Sequence, residues 1–286
     1  MRKIKVVSTF VLTFIITVIS TTTLAFADYR EFVRVPVLMY HSVTAADSAT
    51  DAFAVTEARF REQLETIRSE GYTPVSLSEL VNYVDYGANL PDSPMCITFD
   101  DGYLDNYTVA FPILKEYGYK ATVFAIGSSV GKNTYKDTGI PMNPHFNYNQ
   151  AREMNLSGLV SVQSHTYDMH QSAQHEGREN CRSNILRFDG ESVIDYVRTL
   201  RNDFLKSRAD TEGQIGAKLF ALAYPGGRYD ATSEAVLKSL GVRVTVSTTL
   251  GENYIRQGDA QSLYALNRYN MNDGVDPATL AQWLAH

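Results

Sequence analysis

A distorted (β/α) barrel of about seven parallel strands, forming one catalytic domain, is the fold class that three observations predict. Short β-rich runs alternate with amphipathic helical patterns along the chain. Most of those runs are continuously apolar, as strands buried on both faces are. No internal repeat or low-complexity linker marks a second domain, and the length after an N-terminal leader, roughly 260 residues, suits a single α/β barrel.

The leader comes first. Arg2, Lys3 and Lys5 precede an apolar run from Val6 to Ile19, and a small-residue stretch ends in "AFA" before Asp28. This is the pattern of a secretory signal peptide over residues 1–27, cut after Ala27, with an uncleaved N-terminal anchor as the alternative. The run is shorter and richer in Ser and Thr than a comfortable membrane span. Residues 28–286 then form the folded domain, at or outside the cell surface.

The strand candidates follow in order: "PVLMY" (36–40), "TPVSL" (73–77), "MCITF" (95–99), "TVFAI" (122–126), "LVSVQS" (159–164), "LFALAY" (219–224), "VRVTVS" (242–247) and "ALNRYN" (265–270). Helical stripes lie between them. Phe60, Leu64 and Ile67 share one face, as do Tyr107, Phe111 and Leu114 before a stop at Gly118, and Val193, Val197, Leu200 and Phe204 form a third. Ser76 and Glu79 have capping-box spacing.

The net charge of −6 includes the three leader cations, so the rest of the chain is more acidic still. That balance argues against nucleic acid or anionic lipid as a partner, and no stable protein partner is readable. The two cysteines are Cys96 in an apolar run and Cys181 in a polar one; an exported enzyme could join them, but a buried free thiol at Cys96 is the expected state.

Catalytic groups of parallel barrels sit at the C-terminal ends of the strands. Polar clusters follow four of the predicted strands: His41, Asp100 with Asp101, His165 with His170, and Pro225-Gly226-Gly227. Adjacent carboxylates in "TFDDGY" can take different tasks, one binding a cation while the other stays ionised nearby; alternatively one of them caps the following helix. His165 and His170, five apart, would not share one face of a straight helix, but a turn after a strand can bring both rings to one point. With a carboxylate they fit a His₂-carboxylate catalytic zinc site that keeps a position open for water. Asp168 is a further ligand or, preferably, a group that orients one of the rings.

On "TFDDGY" and "SHTYDMH" the chain resembles the polysaccharide deacetylases of carbohydrate esterase family four, over nearly the whole length after the leader. The resemblance implies Asp100 as general base, and Asp101, His165 and His170 as ligands of one divalent ion, zinc or else cobalt, nickel or manganese. The usual histidine spacing is four, and here it is five. That spacing, with the early "PVLMYHSV", is similar to the branch holding poly-N-acetylglucosamine deacetylases. Two departures stand out. The third motif normally carries an arginine that pairs with the catalytic aspartate, but Ala223 stands in its place in "AYPGG"; Arg268 is the candidate substitute, with Arg228 behind it. The late Leu-His pair that supplies the acid is also missing, and among His41, His145, His165, His170, His175 and His286 strand-end logic selects His41.

The expected reaction is metal-dependent hydrolytic N-deacetylation of a GlcNAc-containing polysaccharide. Asp100 is the base, His41 the acid, and the Gly226 backbone N–H, by analogy with the third motif, an oxyanion donor. Peptidoglycan, chitooligosaccharide and O-acetylated xylan are the alternative substrates, with loops 127–150 and 171–190 setting the choice. A catalytically silent carbohydrate-binding relative is the alternative class. A glycoside hydrolase is disfavoured, because its two carboxyl groups must flank the scissile bond.

Overall fold

The computed structural model describes residues 32–49, 51–136, 138–172 and 181–285. The predicted leader, His175 and His286 lie outside them. Among the described residues the strands, named in chain order, are β1 (Phe32–Arg34), β2 (Val37–Tyr40), β3 (Ser42–Thr44), β4 (Ala54–Thr56), β5 (Thr73–Pro74), β6 (Pro94–Phe99), β7 (Ala121–Ala125), β8 (Val160–Ser164), β9 (Ala221–Ala223), β10 (Val244–Val246), β11 (Tyr254–Arg256) and β12 (Tyr269–Asn270). The α-helices are α1 (Glu57–Ser69), α2 (Leu77–Tyr86), α3 (Phe111–Tyr117), α4 (Tyr148–Leu156), α5 (Val193–Asp210), α6 (Ala231–Ser239) and α7 (Pro277–Leu284).

Seven parallel strands in the order β10-β9-β8-β7-β6-β2-β12 curl through 244°. Parallel pairing with helical returns buries both faces, which is why β2, β6, β7 and β10 consist of buried residues throughout. The last strand, β12, lies beside β2, the first of the curled sheet in chain order, with Tyr269 facing Leu38. The gap from β12 back to β10 is spanned by a single bridge between Val246 and Leu266. Thus the predicted strand 265–270 shrinks to two residues, because the chain before it turns at Ala265 with φ of 54°. The predicted strand 73–77 shrinks likewise: Ser76 is already the N-cap of α2, closing a capping box with Glu79.

Between β8 and β9 the ladder is thin, with Ser164 and Leu222 as its only paired residues. The buried Gln163 amide fills the gap. Its Oε1 accepts from the backbone N–H of Phe220 and Ala221, and its Nε2 donates to Lys218 O. A side chain therefore supplies hydrogen bonds that a neighbouring strand would otherwise make, as buried backbone groups require.

The helical stripes hold in two cases. Phe60, Leu64 and Ile67 are buried on α1, and Phe111 and Leu114 on α3, which ends at left-handed Gly118, while Tyr107 of the second stripe precedes α3 on a π-helical turn and is only partly buried. The third is rotated. On α5 the buried face is Tyr196, Leu200, Phe204 and Ser207, while Val193 is exposed and Val197 only partly buried. Tyr196 wins the inward position because its hydroxyl reaches Ile185 O within the core.

Candidate metal centre and active site

The turn after β6 separates the two adjacent carboxylates. Asp101 adopts φ of 70° and Gly102 φ of 83°, a left-handed pair that sends the Asp101 side chain away from that of Asp100. A non-glycine residue there is strained by roughly 1–2 kcal/mol, a cost met at functional sites. Gly102 is obligatory on space as well: a Cβ would lie 3.0 Å from that of Ala125.

Asp101 Oδ1 lies 3.5 Å from Nε2 of both His165 and His170. The two rings stand nearly perpendicular, their centroids 4.8 Å apart. His165 Nδ1 faces Ala223 O at 2.9 Å, and His170 Nδ1 faces Ser183 O at 3.3 Å. Each carbonyl selects the tautomer with the proton on Nδ1, leaving Nε2 free to bind a cation. Burial lowers the His165 pKa to about 4 against the pull of Asp100, so the ring is neutral, as a ligand must be. Asp101 Oδ1 has no hydrogen-bond partner among the described residues. The three groups fit a divalent ion. Tyr103 lines the same cleft as Asp101.

Asp100 is buried and gripped by Arg268. The guanidinium Nη1 donates to Oδ1 at 2.8 Å and Nη2 to Oδ2 at 2.7 Å, while Nε donates to Ser247 O. Arg268 is itself fully buried. Burial alone would raise the Asp100 pKa; Arg268, with help from His165 and His41, instead holds it well below the usual carboxylate range. Among the described residues it is Arg268, not Arg228, that pairs with Asp100.

His41, Asp100, Asp101, His165, His170 and Gly226 all line one cleft of about 480 Å³. His41 packs against Phe53, ring centroids 5.1 Å apart, and its Nδ1 has no partner among the described residues. Gly226 takes φ of 59° with open space on its Cβ side; at Gly227 a Cβ would lie 2.1 Å from Thr248 Oγ1. A second cavity of about 930 Å³ shares Asp101 and His170 with the first. Cys96 is a buried free thiol, and Cys181 lines the second cavity.

Asp168 does not orient a ring. Its carboxylate accepts from Lys136 Nζ at 2.7 Å and Ser128 Oγ at 3.2 Å, because the turn between the histidines points it outward. Orienting falls to the two backbone carbonyls. Tyr103, Asn270 and Asp203 are also at or behind the site. Tyr103 is the tyrosine of "TFDDGY", so its place in that motif was the available signal. Asn270 and Asp203 carry no local signal, since distant segments bring them in.

The polysaccharide deacetylase family model matches residues 87–245, more than half of the chain. The chain belongs to the polysaccharide deacetylase family. Among relatives of this deacetylase, a poly-β-1,6-N-acetyl-D-glucosamine N-deacetylase of Staphylococcus epidermidis is 27% identical over 259 residues, 86% of this chain and 82% of the relative. An Escherichia coli K12 protein with the same activity in its name is 27% identical over 224 residues, which make up 71% of this chain but only 32% of that longer protein. The solved structure of a de-N-acetylase from Aggregatibacter actinomycetemcomitans superposes with a TM-score of 0.72 at 27% identity, over 88% of this chain and all of that one. The deacetylase thus has its family's curled sheet. Among the described residues no helix is long and apolar enough to cross a membrane.

Proposed function

We propose that this deacetylase hydrolyses the N-acetyl groups of a GlcNAc polymer, the β-1,6-linked polymer before peptidoglycan or chitooligosaccharide and before the O-acetyl esters of xylan, at or outside the cell surface. The observation that carries this reading is the pairing of an ionised, Arg268-held Asp100 with an Asp101, His165, His170 ligand set in one cleft. The names of the relatives support the choice of polymer.

Asp101, His165 and His170 would hold one divalent ion, zinc first, with cobalt, nickel or manganese able to use the same donors. Such an ion supplies Lewis acidity toward the acetamide carbonyl and acidifies water at neutral pH. Asp100 accepts the proton of the attacking water. Both its oxygens are occupied by Arg268, but each carries a second lone pair, and the low basicity that Arg268 imposes keeps the carboxylate ionised and ready. The backbone N–H of Gly226 donates to the developing oxyanion. His41, on the same cleft wall, gives its proton to the departing amine, leaving acetate and a free glucosamine unit. The cavity sharing Asp101 and His170 offers room for neighbouring sugars.

Acetate release from β-1,6-linked GlcNAc oligomers tests the reading, before and after chelation and with Zn²⁺ or Co²⁺ restored. Chelation should abolish release and either ion should return it. Absence of release from these oligomers, from peptidoglycan and from acetylated xylan, with metal demonstrably bound, would reject it in favour of a glycan-binding relative without turnover.

A further inference from the structure

The turn that carries His165 and His170 is held from two sides. On one side its carbonyls are used: Thr166 O accepts from Gly127 N at 3.0 Å and Tyr167 O from Ser128 N at 2.8 Å. Gly127 permits this approach, since a Cβ there would lie 2.6 Å from the Tyr167 ring. On the other side its amides are used. Thr166 adopts φ of 69°, which turns two successive N–H groups the same way, and both meet a single carboxylate. Asp203 Oδ1 accepts from Tyr167 N at 2.8 Å and Oδ2 from Asp168 N at 2.7 Å. Asp203 sits on α5, one residue before the buried Phe204 that anchors that helix in the core.

We propose that Asp203 is a positioning residue for the metal centre: it fixes the five-residue turn so that the His170 ring stands against His165 and Asp101. Charge-assisted bonds to two adjacent amides are strong and directional, and no other acceptor among the described residues takes these two N–H groups. Asp203 touches neither histidine ring. Its effect passes through the backbone, from Tyr167 and Asp168 to His170 two residues on. The turn also needs outside help on local grounds: its one non-glycine left-handed residue, Thr166, has only the Ser164 hydroxyl on its N–H and lends its own hydroxyl to Met169 N.

The inference rests on the metal-binding reading above, and its test separates the two. Zn²⁺ affinity of the apo-protein is measured by competition with a chromophoric chelator, alongside apo-protein thermal unfolding, for the wild type and for Asp203→Ala, Asp203→Asn and Asn202→Ala. Asp203→Ala should bind zinc about 10- to 100-fold more weakly, beside a fall in its apo unfolding midpoint from the two amides left without their acceptor, and acetate release at saturating zinc should recover much of the loss. Asp203→Asn, which retains one acceptor and the side-chain volume, should fall between, and the exposed Asn202→Ala should match the wild type. Equal zinc affinity in the wild type and both Asp203 variants would overturn the inference while leaving the metal site intact. A wild type that binds no zinc would overturn both readings. Should Asp203→Ala fail to fold, the Asn variant decides: weaker binding supports the positioning role and unchanged binding refutes it.

Discussion

The Arg268 guanidinium holds both oxygens of Asp100, at 2.8 and 2.7 Å, across 168 residues of chain. Removing one partner of such a buried pair costs about 3–5 kcal/mol. Without the guanidinium, burial also drives the Asp100 pKa upward, so the ionised base disappears at a higher pH. Arg268→Lys, which cannot make the bidentate grip, should lower kcat and move the acidic limb of the pH–rate profile to higher pH. Rates measured from pH 4 to 8 check this, and an unmoved limb would separate Arg268 from the base.

Asp100 and His165 should part company on metal content. Asp100→Asn should reduce acetate release to background while metal per protein, read by elemental analysis, stays near the wild-type value. His165→Ala should lose both. Substantial turnover in Asp100→Asn would mean that another group takes the proton.

If His41 protonates the leaving amine, His41→Ala should slow deacetylation by about 10²–10⁴. An activated aryl acetate, whose leaving group needs no proton, should be cleaved nearly as fast as before. A loss of only a few-fold on the amide would reduce His41 to a group packed beneath Phe53.

Asp105, which follows the motif, accepts the Ser42 hydroxyl. Burial raises its pKa from 3.8 to about 6, against the lowering effect of Ser42 and the backbone amides of Val43 and Asn106. Between those values the native state takes up the proton before the unfolded chain does. The stabilisation is therefore complete below about pH 4 and lost as pH rises through about 6. Asp105→Asn lacks this dependence. Urea unfolding at pH 4 and pH 7 should show the wild type losing up to about 3 kcal/mol relative to the variant over that interval.

The proposed metal ligands and base were legible as a cluster because they occupy short motifs at strand ends, where the barrel geometry gathers them. Arg268 was legible for a different reason: Ala223 in place of the motif arginine called for another cation, and Arg268 stands near the end of a late predicted strand. The roles of Asp168, Asp203 and Gln163 were not. Each depends on which way a backbone amide or carbonyl points in a turn or a splayed ladder, and no periodicity in the sequence encodes that. The rotated stripe on α5 has the same origin, since Val193 and Val197 look as apolar as Leu200 until the Tyr196 hydroxyl finds its buried acceptor.

The origin of Arg268 in the segment that spans β10 and β12 has a consequence for biosynthesis. A growing polypeptide contains Asp100, Asp101, His165 and His170 roughly a hundred residues before it contains the cation that keeps Asp100 ionised. Without that late segment Asp100 lacks the guanidinium that offsets the effect of burial on its pKa. The segment that closes the sheet thus also brings Asp100 its charge partner, and on the proposed mechanism a nascent or truncated chain holding every candidate metal donor is still an unfinished catalyst.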